Sequence, residues 1–276
     1  MTHTDQKPQE KNLRYVKIFG ERNTGTHFLT QLVDINTSLK PLKNQSKNVI
    51  RPGLKKILAS YKESGSKNAA TSGLLNSIIL NRLLDEQRRN EQDKNFGWKH
   101  ALVEPQSILN TKRHNNTLFV FLIRNPWRFI SALHKRPYNL IPKPSKDIRT
   151  FINSSFLANE RDNLPSLVIE NPVDLWNQKV KSYFKCSTKI NNSIICYYEE
   201  IVESPQEFIK KLAPFCRIND STEIPIKSTK SDSRSFHDYQ REALTYNPKQ
   251  ALGNEIYQEI LQKLDHKILH RTIYTT

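Results

Sequence analysis

Hydrophobic and polar positions alternate in blocks along the chain, and each block predicts an element. Residues 15–19 are mostly aromatic and β-branched and predict a strand. Beyond it, apolar positions recur at helical spacing from Thr26 to Ile35, which predicts a helix. Gly20 and Gly25 bound the loop between these two elements. The first ordered unit is therefore a strand, a glycine-bounded loop and a helix.

A continuous apolar run at residues 118–123 is typical of a central parallel strand that is buried on both faces. Pro126, shortly after it, suits the first position of the next helix. We expect one further short strand to end at 96–100 and another to cover 193–198. Helices are expected near 54–62, at 74–83, 147–159 and 172–185, after Pro205, and at 252–271. Strands separated by helices predict an α/β fold with a mainly parallel central β-sheet flanked by helices.

Polar segments suggest the domain organisation. Residues 1–13 predict a disordered tail, and residues 14–276 a single domain. Within it, residues 36–95 are expected to form a helical and irregular insertion, because Lys, Asn and Ser are frequent there. We expect no transmembrane segment, since the longest apolar run is far too short to cross a bilayer. The N-terminus lacks the apolar core of a signal peptide, so we expect a cytoplasmic protein.

Charge and cysteine content narrow the classes of function. The 276 residues include 43 Lys and Arg against 27 Asp and Glu, a net charge of +16. This excess predicts a polyanionic partner without distinguishing nucleic acid, membrane surface and phosphorylated small molecule. Three widely spaced cysteines without a C-x-x-C pair predict free thiols in a reducing compartment. No cluster of residues has the spacing of Mg²⁺ or Zn²⁺ ligands, and we expect no metal.

The loop GERNTGT at residues 20–26 has the strand–loop–helix context of a phosphate-binding loop. Its two glycines match the G-x-x-x-x-G frame of nucleotide triphosphatases. Thr26 and His27, however, stand where those enzymes have Lys and then Ser or Thr. The missing Lys makes an ATP-dependent P-loop kinase a weaker hypothesis. A plain strand-to-helix turn with incidental glycines is the alternative.

Two further positions carry chemistry. Arg124 follows the buried central strand, where α/β sheets bind ligands, and its guanidinium suits a phosphate. The alternative is an arginine that only pairs with a neighbouring carboxylate. Lys99 and His100 follow the expected strand end at 96–100, and such a His can act as a general base beside a Lys that stabilises negative charge. All three elements are expected at one edge of the sheet.

Four segments taken in order resemble the PAPS-dependent sulfotransferases, whose fold is similar to that of P-loop NTPases. They are FGERNTGT at 19–26, WKH at 98–100, FLIRNP at 121–126 and YYEEIVESP at 197–205. The resemblance extends from about Tyr15 to Tyr239 without the 36–95 insertion. It implies transfer of a sulfuryl group from PAPS (3′-phosphoadenosine 5′-phosphosulfate) to a hydroxyl or amine. The other product would be adenosine 3′,5′-bisphosphate (PAP), and no metal is required.

The resemblance also implies roles for individual residues. His100 would take the acceptor proton and Lys99 would stabilise charge, with Glu104 as the fallback base. The first loop would hold the 5′-phosphosulfate, the second motif the 3′-phosphate, and a late basic loop would cover the nucleotide. The implied nucleotide-binding residues are Arg22, Asn23, Thr24, Gly25, Thr26, His27, Arg124, Ser131, Lys227, Lys230 and Arg234.

The chain departs from the family pattern at three points. Asn23 stands where members carry Lys, with Arg22 beside it as a substitute charge. Ala132 stands where members carry Ser, and Ser131 is one residue early, a rotation of about 100° on a helix. The Lys–His pair is contiguous where members separate the two residues.

These departures keep other hypotheses open. In order of preference, the other hypotheses are a catalytically degenerate nucleotide-binding protein, an ATP-dependent P-loop kinase and a nucleic-acid-binding protein. Nucleic acid is the least favoured partner, because the basic residues are dispersed and no known signature appears. The acceptor is not encoded in any motif, and an anionic glycan and a small molecule both stay open.

Overall fold

The computed structural model describes residues 12–42, 81–82, 85, 95–138, 140–225 and 234–274. The elements named below belong to these ranges. The helix expected near 54–62 lies outside them, as do most of the helix expected at 74–83, most of the 36–95 insertion and residues 1–11 of the predicted tail. Lys227 and Lys230 also lie outside the described residues.

In the described residues, four parallel strands form the central sheet in the order β2-β1-β3-β6. They are β1 (Tyr15–Gly20), β2 (Lys40–Pro41), β3 (Thr117–Ile123) and β6 (Ser193–Tyr197). A separate antiparallel pair consists of β4 (Phe156–Leu157) and β5 (Val168–Ile169).

Helices surround the sheet. In chain order they are α1 (Thr26–Asn36), α2 (Pro105–Leu109), α3 (Pro126–Lys135), α4 (Ile148–Ile152), α5 (Pro172–Ser187), α6 (Tyr198–Glu203), α7 (Pro205–Lys210), α8 (Phe236–Leu244), α9 (Pro248–Leu252), α10 (Asn254–Lys263) and α11 (His266–Leu269). The predicted fold class, α/β with a mainly parallel central sheet flanked by helices, is confirmed.

Strand β3 is the centre of the core, and all seven of its residues are buried. Side chains of a strand alternate between its two faces. Phe119 and Phe121 pack into one hydrophobic cluster with α3 and α5, whereas Val120 and Leu122 pack into another with α1 and α7. The apolar run is continuous because both faces of this strand are covered.

Helix starts follow the local sequence. Pro126 is the first residue of α3, as predicted, and the Asn125 side chain accepts a hydrogen bond from the N–H of Arg128 at 3.1 Å. Helix α5 likewise begins with Pro172 after the capping residue Asn171. In each case proline costs no hydrogen bond in the first turn, and an Asn side chain satisfies N–H groups that the helix leaves unpaired.

Three boundary predictions are wrong, each for a local reason. Residues 96–100 do not end a strand, because Phe96 and Gly97 have φ of 58° and 75° and the chain turns there. The helix expected at 147–159 is α4 alone, since the Asn153 and Ser154 side chains bond back to carbonyls of the preceding turn and end it.

The third wrong boundary prediction is the final helix expected at 252–271. It is divided, because Leu264 is extended and Asp265 begins a new cap for α11. A smaller difference concerns the strand expected at 193–198, where Tyr198 starts α6 instead of ending β6.

Two further expectations bear on the core and on membranes. The three cysteines are free and buried, as their spacing predicts. Leu13, which the sequence places at the end of the predicted tail, is 6% exposed, and its N–H donates to the carbonyl of Phe215 at 2.9 Å. This residue is therefore part of the folded domain.

Among the helices of the described ranges, none is long and apolar enough to cross a bilayer.

Candidate functional site

The carboxyl ends of β1, β3 and β6 lie side by side and form one edge of the sheet. Gly20 pairs with Leu122 and Ile123 pairs with Tyr197, so the three strands end at nearly the same level. Parallel α/β sheets bind ligands at this edge, where loops leave the strands. The loop after β1 therefore meets the first residues after β3 and β6.

The loop at residues 20–26 is a tight turn that leads into α1. The Thr24 hydroxyl donates to the carbonyl of Glu21 at 2.5 Å, and the Thr24 N–H reaches the same oxygen at 3.2 Å. Asn23 and Gly25 have φ of 64° and 85°, in the left-handed region. Left-handed residues in a turn let neighbouring N–H groups point to one concave side, a backbone form that binds anions.

Both loop glycines are sterically required. A Cβ atom at Gly20 would lie 2.9 Å from the Thr24 hydroxyl oxygen and 3.1 Å from the carbonyl oxygen of Leu122. A Cβ atom at Gly25 would lie 2.5 Å from the ring of Tyr198. The glycines are therefore not incidental to the fold, because each position admits no side chain without displacement. A plain strand-to-helix turn and a phosphate-binding loop both require this packing, so the phosphate role of the loop stays a prediction.

Helix α1 begins without a side-chain cap. Its capping residue is Gly25, and its first turn contains no acidic residue. The first N–H groups of a helix have no partner within the helix, and the positive end of the helix dipole lies among them. An anion above the loop can bind these groups, as phosphates do at many helix N-termini.

Beneath the loop lies a buried network of two acids and two bases, Glu21, Arg22, Asp162 and Lys179, which we call the four-charge network. The Arg22 guanidinium lies 2.8 Å from Asp162 and 3.4 Å from Glu21. Lys179 Nζ lies 3.3 Å from Glu21 and 3.4 Å from Asp162. All four side chains are at most 3% exposed, so their formal charges cancel in the interior. The predicted contact of Arg22 with a phosphosulfate stays a prediction, and these ion pairs compete with it.

The network fixes the ionisation of Asp162. Burial alone would raise the pKa of this carboxyl group, but Arg22 and Lys179 lower it well below its ordinary value. Lys179 Nζ also donates to the backbone carbonyl of His100 at 2.5 Å. The same four charges therefore support the loop and the segment that carries His100.

His100 lies beside the loop as a neutral base. Its Nδ1 is 2.5 Å from the carbonyl oxygen of Gly20, and a carbonyl only accepts, so Nδ1 carries the proton. Nε2 then has a free lone pair and makes no hydrogen bond to any described residue. Burial, followed by the charges of Lys99 and Arg22, lowers the pKa of His100 well below its ordinary value. The ring is therefore neutral at neutral pH and can accept a proton at Nε2.

Lys99 and Glu104 lie in different surroundings. Lys99 Nζ is 3.1 Å from Nε2 of His27, in the first turn of α1, and the Lys99 carbonyl accepts from the N–H of Gly20 at 3.0 Å. With the bond from His100 to Gly20, these contacts join the Lys–His pair to the loop and α1. Burial and then the charge of Lys99 lower the pKa of His27. Glu104, the fallback base, pairs with Lys185 at 2.6 Å, and no contact within the described residues joins it to the loop.

Arg124 joins the second motif to the loop. Its Nη1 donates to the carbonyl of Asn23, and its guanidinium lies 4.8 Å from the centre of the Tyr198 ring. Its Nε has no hydrogen-bond partner among the described residues. The Asn23 side chain donates to the carbonyl of Ala132 at 3.3 Å and accepts from the Tyr138 hydroxyl at 3.1 Å. Two of the departures from the family pattern are thus in contact with each other.

Ser131 makes contacts different from those of Asn23. Its hydroxyl donates to the carbonyl of Trp127 at 2.9 Å and lies 3.4 Å from the hydroxyl of Tyr246. Arg234 comes to the same region, where its guanidinium contacts the carboxylate of Glu242 and lies 4.3 Å from the ring of Tyr239. The predicted nucleotide-binding roles of Ser131 and Arg234 stay predictions.

Arg128 belongs to this region and is absent from the sequence prediction. It is 3% exposed, and its Nε and Nη1 have no hydrogen-bond partner among the described residues. Its Nη2 lies 3.2 Å from the Glu242 carboxylate. Its guanidinium lies 5.8 Å from the ring of Tyr198 and 5.4 Å from that of Tyr246.

Comparison with solved structures finds remote similarities, including similarities to two sulfotransferase domains. No family model and no curated protein matches the chain. A sulfotransferase domain from the curacin biosynthetic pathway matches 96% of this chain and 99% of its own, with 14% identity and a TM-score of 0.43. A sulfotransferase domain from the Synechococcus PCC 7002 olefin synthase matches 99% of this chain and 94% of its own, with 9% identity and a TM-score of 0.35. At such low identities and TM-scores, neither similarity carries an argument about activity.

One signal in the sequence does point to Arg128. It is a charged residue within the buried run Trp127–Ile130, directly after the strand-end arginine. A charge is seldom fully buried unless it is paired. Tyr198, Tyr246 and Glu242 carry no such local signal, because they reach the site from elements distant in the chain.

Replacing Gly25 by Ala tests the steric requirement of the loop. We expect the free energy of unfolding to fall by about 1–2 kcal/mol for a side chain in the left-handed region. The contact with Tyr198 adds a loss of about 1–3 kcal/mol through overpacking. Gly25→Ala in a Tyr198→Leu background is the control, because the ring that the methyl group would meet is then absent while the backbone strain is unchanged. The measurement is urea unfolding. Equal losses in the free energy of unfolding for Gly25→Ala and for its control would show that the Tyr198 ring moves away from the methyl group without an energetic cost.

Replacing Asp162 by Asn tests the four-charge network through pH. At pH 7 we expect a loss of about 3–5 kcal/mol, because Arg22 and Lys179 stay buried without one of their two carboxylates. The pKa of Asp162 is lower in the folded than in the unfolded protein. Its contribution is therefore complete above the unfolded pKa of about 4 and is lost as the pH falls below that value.

The measurement is the difference in free energy of unfolding between wild type and Asp162→Asn from pH 7 to pH 3. We expect a constant difference down to about pH 4 and a smaller one below. Asp220→Asn, at an exposed position, is the control for removal of a carboxylate outside the network. A difference for Asp162→Asn that does not change with pH would contradict an ionised Asp162 in the network.

Proposed function

We propose that this protein is a sulfotransferase that moves a sulfuryl group from PAPS to a hydroxyl or amine. The observation that carries the proposal is the hydrogen bond between His100 Nδ1 and the carbonyl of Gly20. It joins a neutral base to the first residue of an anion-binding loop. A site that only bound a nucleotide would not require a base with a free lone pair at that position.

The donors at this sheet edge fit a nucleotide with an anionic group at each end. Gly20 and Gly25 let the loop pack closely against Thr24 and the Tyr198 ring and turn tightly below the uncapped start of α1. These groups would hold the 5′-phosphosulfate. Arg124 has an unpartnered Nε among the described residues and would contribute to holding the 3′-phosphate.

The charge of the loop favours a phosphosulfate over a triphosphate. Thr26 and His27 replace the Lys and Ser or Thr that hold the phosphates and Mg²⁺ in a kinase loop. Arg22 does not compensate for them, because Glu21 and Asp162 already match its charge. Backbone N–H groups and a helix end, with Lys99 nearby, suit the smaller charge of a phosphosulfate.

Residues of this chain would supply binding, orientation and proton transfer. PAPS, when bound, supplies the sulfuryl group and a phosphate as its leaving group. His100 Nε2 would take the proton of the acceptor hydroxyl or amine, and the bond from Nδ1 to Gly20 holds the ring in the necessary tautomer. Lys99 Nζ and the loop N–H groups would stabilise charge on the departing phosphate.

The acceptor is a separate part of the proposal. The net charge of +16 exceeds what a single nucleotide requires and favours an anionic acceptor such as an acidic glycan. A small neutral alcohol is the alternative. Transfer rates from PAPS to sulfated or carboxylated glycans and to simple alcohols would separate the two classes.

A catalytically degenerate nucleotide-binding protein is the second candidate. The observation that favours it is the use of Asn23, which bonds to Ala132 and Tyr138 within the protein. In that case the site would bind PAPS or PAP, and His100 would not act as a catalytic base.

Ligand-induced stabilisation tests nucleotide binding. PAP at a hundredfold excess over its Kd should raise the free energy of unfolding by about 2.7 kcal/mol. ATP with Mg²⁺ should give a much smaller effect, because the kinase Lys is missing from the loop. Thermal unfolding with each ligand measures both effects. Stabilisation by ATP and Mg²⁺ without stabilisation by PAP would sink the sulfotransferase proposal.

Replacing His100 by Ala tests the catalytic role. We expect the transfer rate from labelled PAPS to fall by about 10²–10⁴, the usual contribution of a general base. The Kd for PAP should stay within about twofold, because the imidazole contacts Gly20 and not the predicted nucleotide donors. His114→Ala is the matched control, since His114 Nδ1 also bonds to a backbone carbonyl, that of Thr111, at 2.9 Å. Near-normal transfer by the His100 variant would remove His100 from the mechanism.

A further inference from the structure

Arg128 is a buried cation with incomplete hydrogen bonding. It is 3% exposed, and two of its three guanidinium nitrogens, Nε and Nη1, have no partner among the described residues. A buried guanidinium without its hydrogen bonds is costly, so such a group normally has a further partner. The geometry therefore indicates room for an additional acceptor at Arg128.

The anion that Arg128 contacts in the described residues is the carboxylate of Glu242. One oxygen lies 3.2 Å from Nη2 of Arg128, and the other contacts Nη2 of Arg234. Burial alone would raise the pKa of Glu242, but Arg234 and Arg128 lower it, so the group is ionised at neutral pH. Glu242 thus bridges a guanidinium on α3 to one just before α8.

Other charged groups surround the pair of Arg128 and Glu242. Glu199 acts on Arg124, and Asp238 acts on Arg234. Arg124 lies close enough to Arg128 that their repulsion, after burial, is a main cause of the lowered pKa of Arg124. The ring of Tyr198 lies within 6 Å of both guanidiniums. Within the described residues, Glu242 is the carboxylate that forms an ion pair with Arg128. A phosphate monoester carries more charge and more acceptor oxygens than Glu242, so it can satisfy the guanidinium nitrogens that Glu242 leaves without a partner there.

The Glu242 side chain is placed where it can move away from Arg128 into solvent. Its side chain is 47% exposed, whereas that of Arg128 is 4% exposed. It borders an open cavity of about 600 Å³ together with Arg234. An entering anion can therefore reach the carboxylate from solvent and take its place on the arginines.

We propose that Glu242 is an internal counter-ion that a phosphate monoester of the ligand displaces from Arg128, which makes Arg128 a specificity-determining residue. The identity of that ligand rests on the proposed function, in which the monoester is the 3′-phosphate of PAPS. Arg128 then selects nucleotides that carry this phosphate, and release of Glu242 removes one ion pair of Arg234. Glu242 lowers the affinity for every ligand that needs Arg128.

The test compares PAP with AMP, which lacks the 3′-phosphate, in wild type and in Glu242→Gln. We expect Glu242→Gln to bind PAP about threefold to tenfold more tightly, because a competing carboxylate that makes two partly exposed ion pairs is lost. Its affinity for AMP should not change. Glu259→Gln is the matched control, because Glu259 accepts from Arg149 at 2.9 Å and from Asn153 at 3.2 Å, in a region without Arg128.

Arg128→Met supplies a second, coupled measurement. It should bind PAP and AMP with similar affinity, and adding Glu242→Gln to it should bring no further gain for PAP. If Arg128 had only a structural role, Arg128→Met would lower the affinities for PAP and AMP equally. Adding Glu242→Gln would then still raise the affinity for PAP. Arg128→Lys, which keeps the charge but not the fork of donors, should show intermediate discrimination and serves where the Met variant does not fold.

Inorganic phosphate separates this proposal from the proposed function. At constant ionic strength it should stabilise Glu242→Gln against thermal unfolding more than wild type or Glu259→Gln. If neither PAP nor AMP binds but this phosphate effect is present, the counter-ion role stands and the nucleotide assignment fails. If PAP binds wild type, Glu242→Gln and Glu259→Gln equally, the counter-ion role is overturned and the proposed function stands. Equal phosphate effects in the three proteins, without nucleotide binding, would overturn both.

Discussion

The four-charge network of Glu21, Arg22, Asp162 and Lys179 is the interaction on which the site depends. Each side chain is at most 3% exposed, so none of the charges is relieved by water, and each is tolerated only because the opposite charges lie beside it. The four residues come from the first loop, the turn after β4 and helix α5. By holding these elements together, the network fixes the height of the loop and the position of the His100 carbonyl above Lys179.

Tyr198 plays a corresponding role on the other side of the loop. Its ring packs against Gly25 and lies beneath the guanidiniums of Arg124 and Arg128. The first residue after β6 thus joins the turn after β1 to the arginines after β3. On this side the Tyr198 ring contacts Gly25 and Arg124 donates to the carbonyl of Asn23. On the other side the cancelling charges of the four-charge network support the loop.

Much of the fold follows from local patterns. The strands and helices around β1 and β3 agree with the sequence within a residue or two, because long periodic segments with clear caps leave few alternatives. The errors occur where side chains override periodicity, as at Asn153, or where two left-handed residues turn an apolar segment, as at Phe96. Helical spacing alone also runs through Leu264, although the backbone there is extended.

The sequence by itself determined the α/β class, the glycine-bounded loop and the position of Arg124 directly after a buried strand. These features depend on residues close together in the chain. Only the tertiary structure decided that Arg22 forms buried ion pairs and that Glu242 forms an ion pair with Arg128. Both results depend on partners 140 and 114 residues away in the chain, respectively, and pairing across such separations leaves no periodic or local signal. Which charges stay available to a ligand is therefore a property of the folded protein.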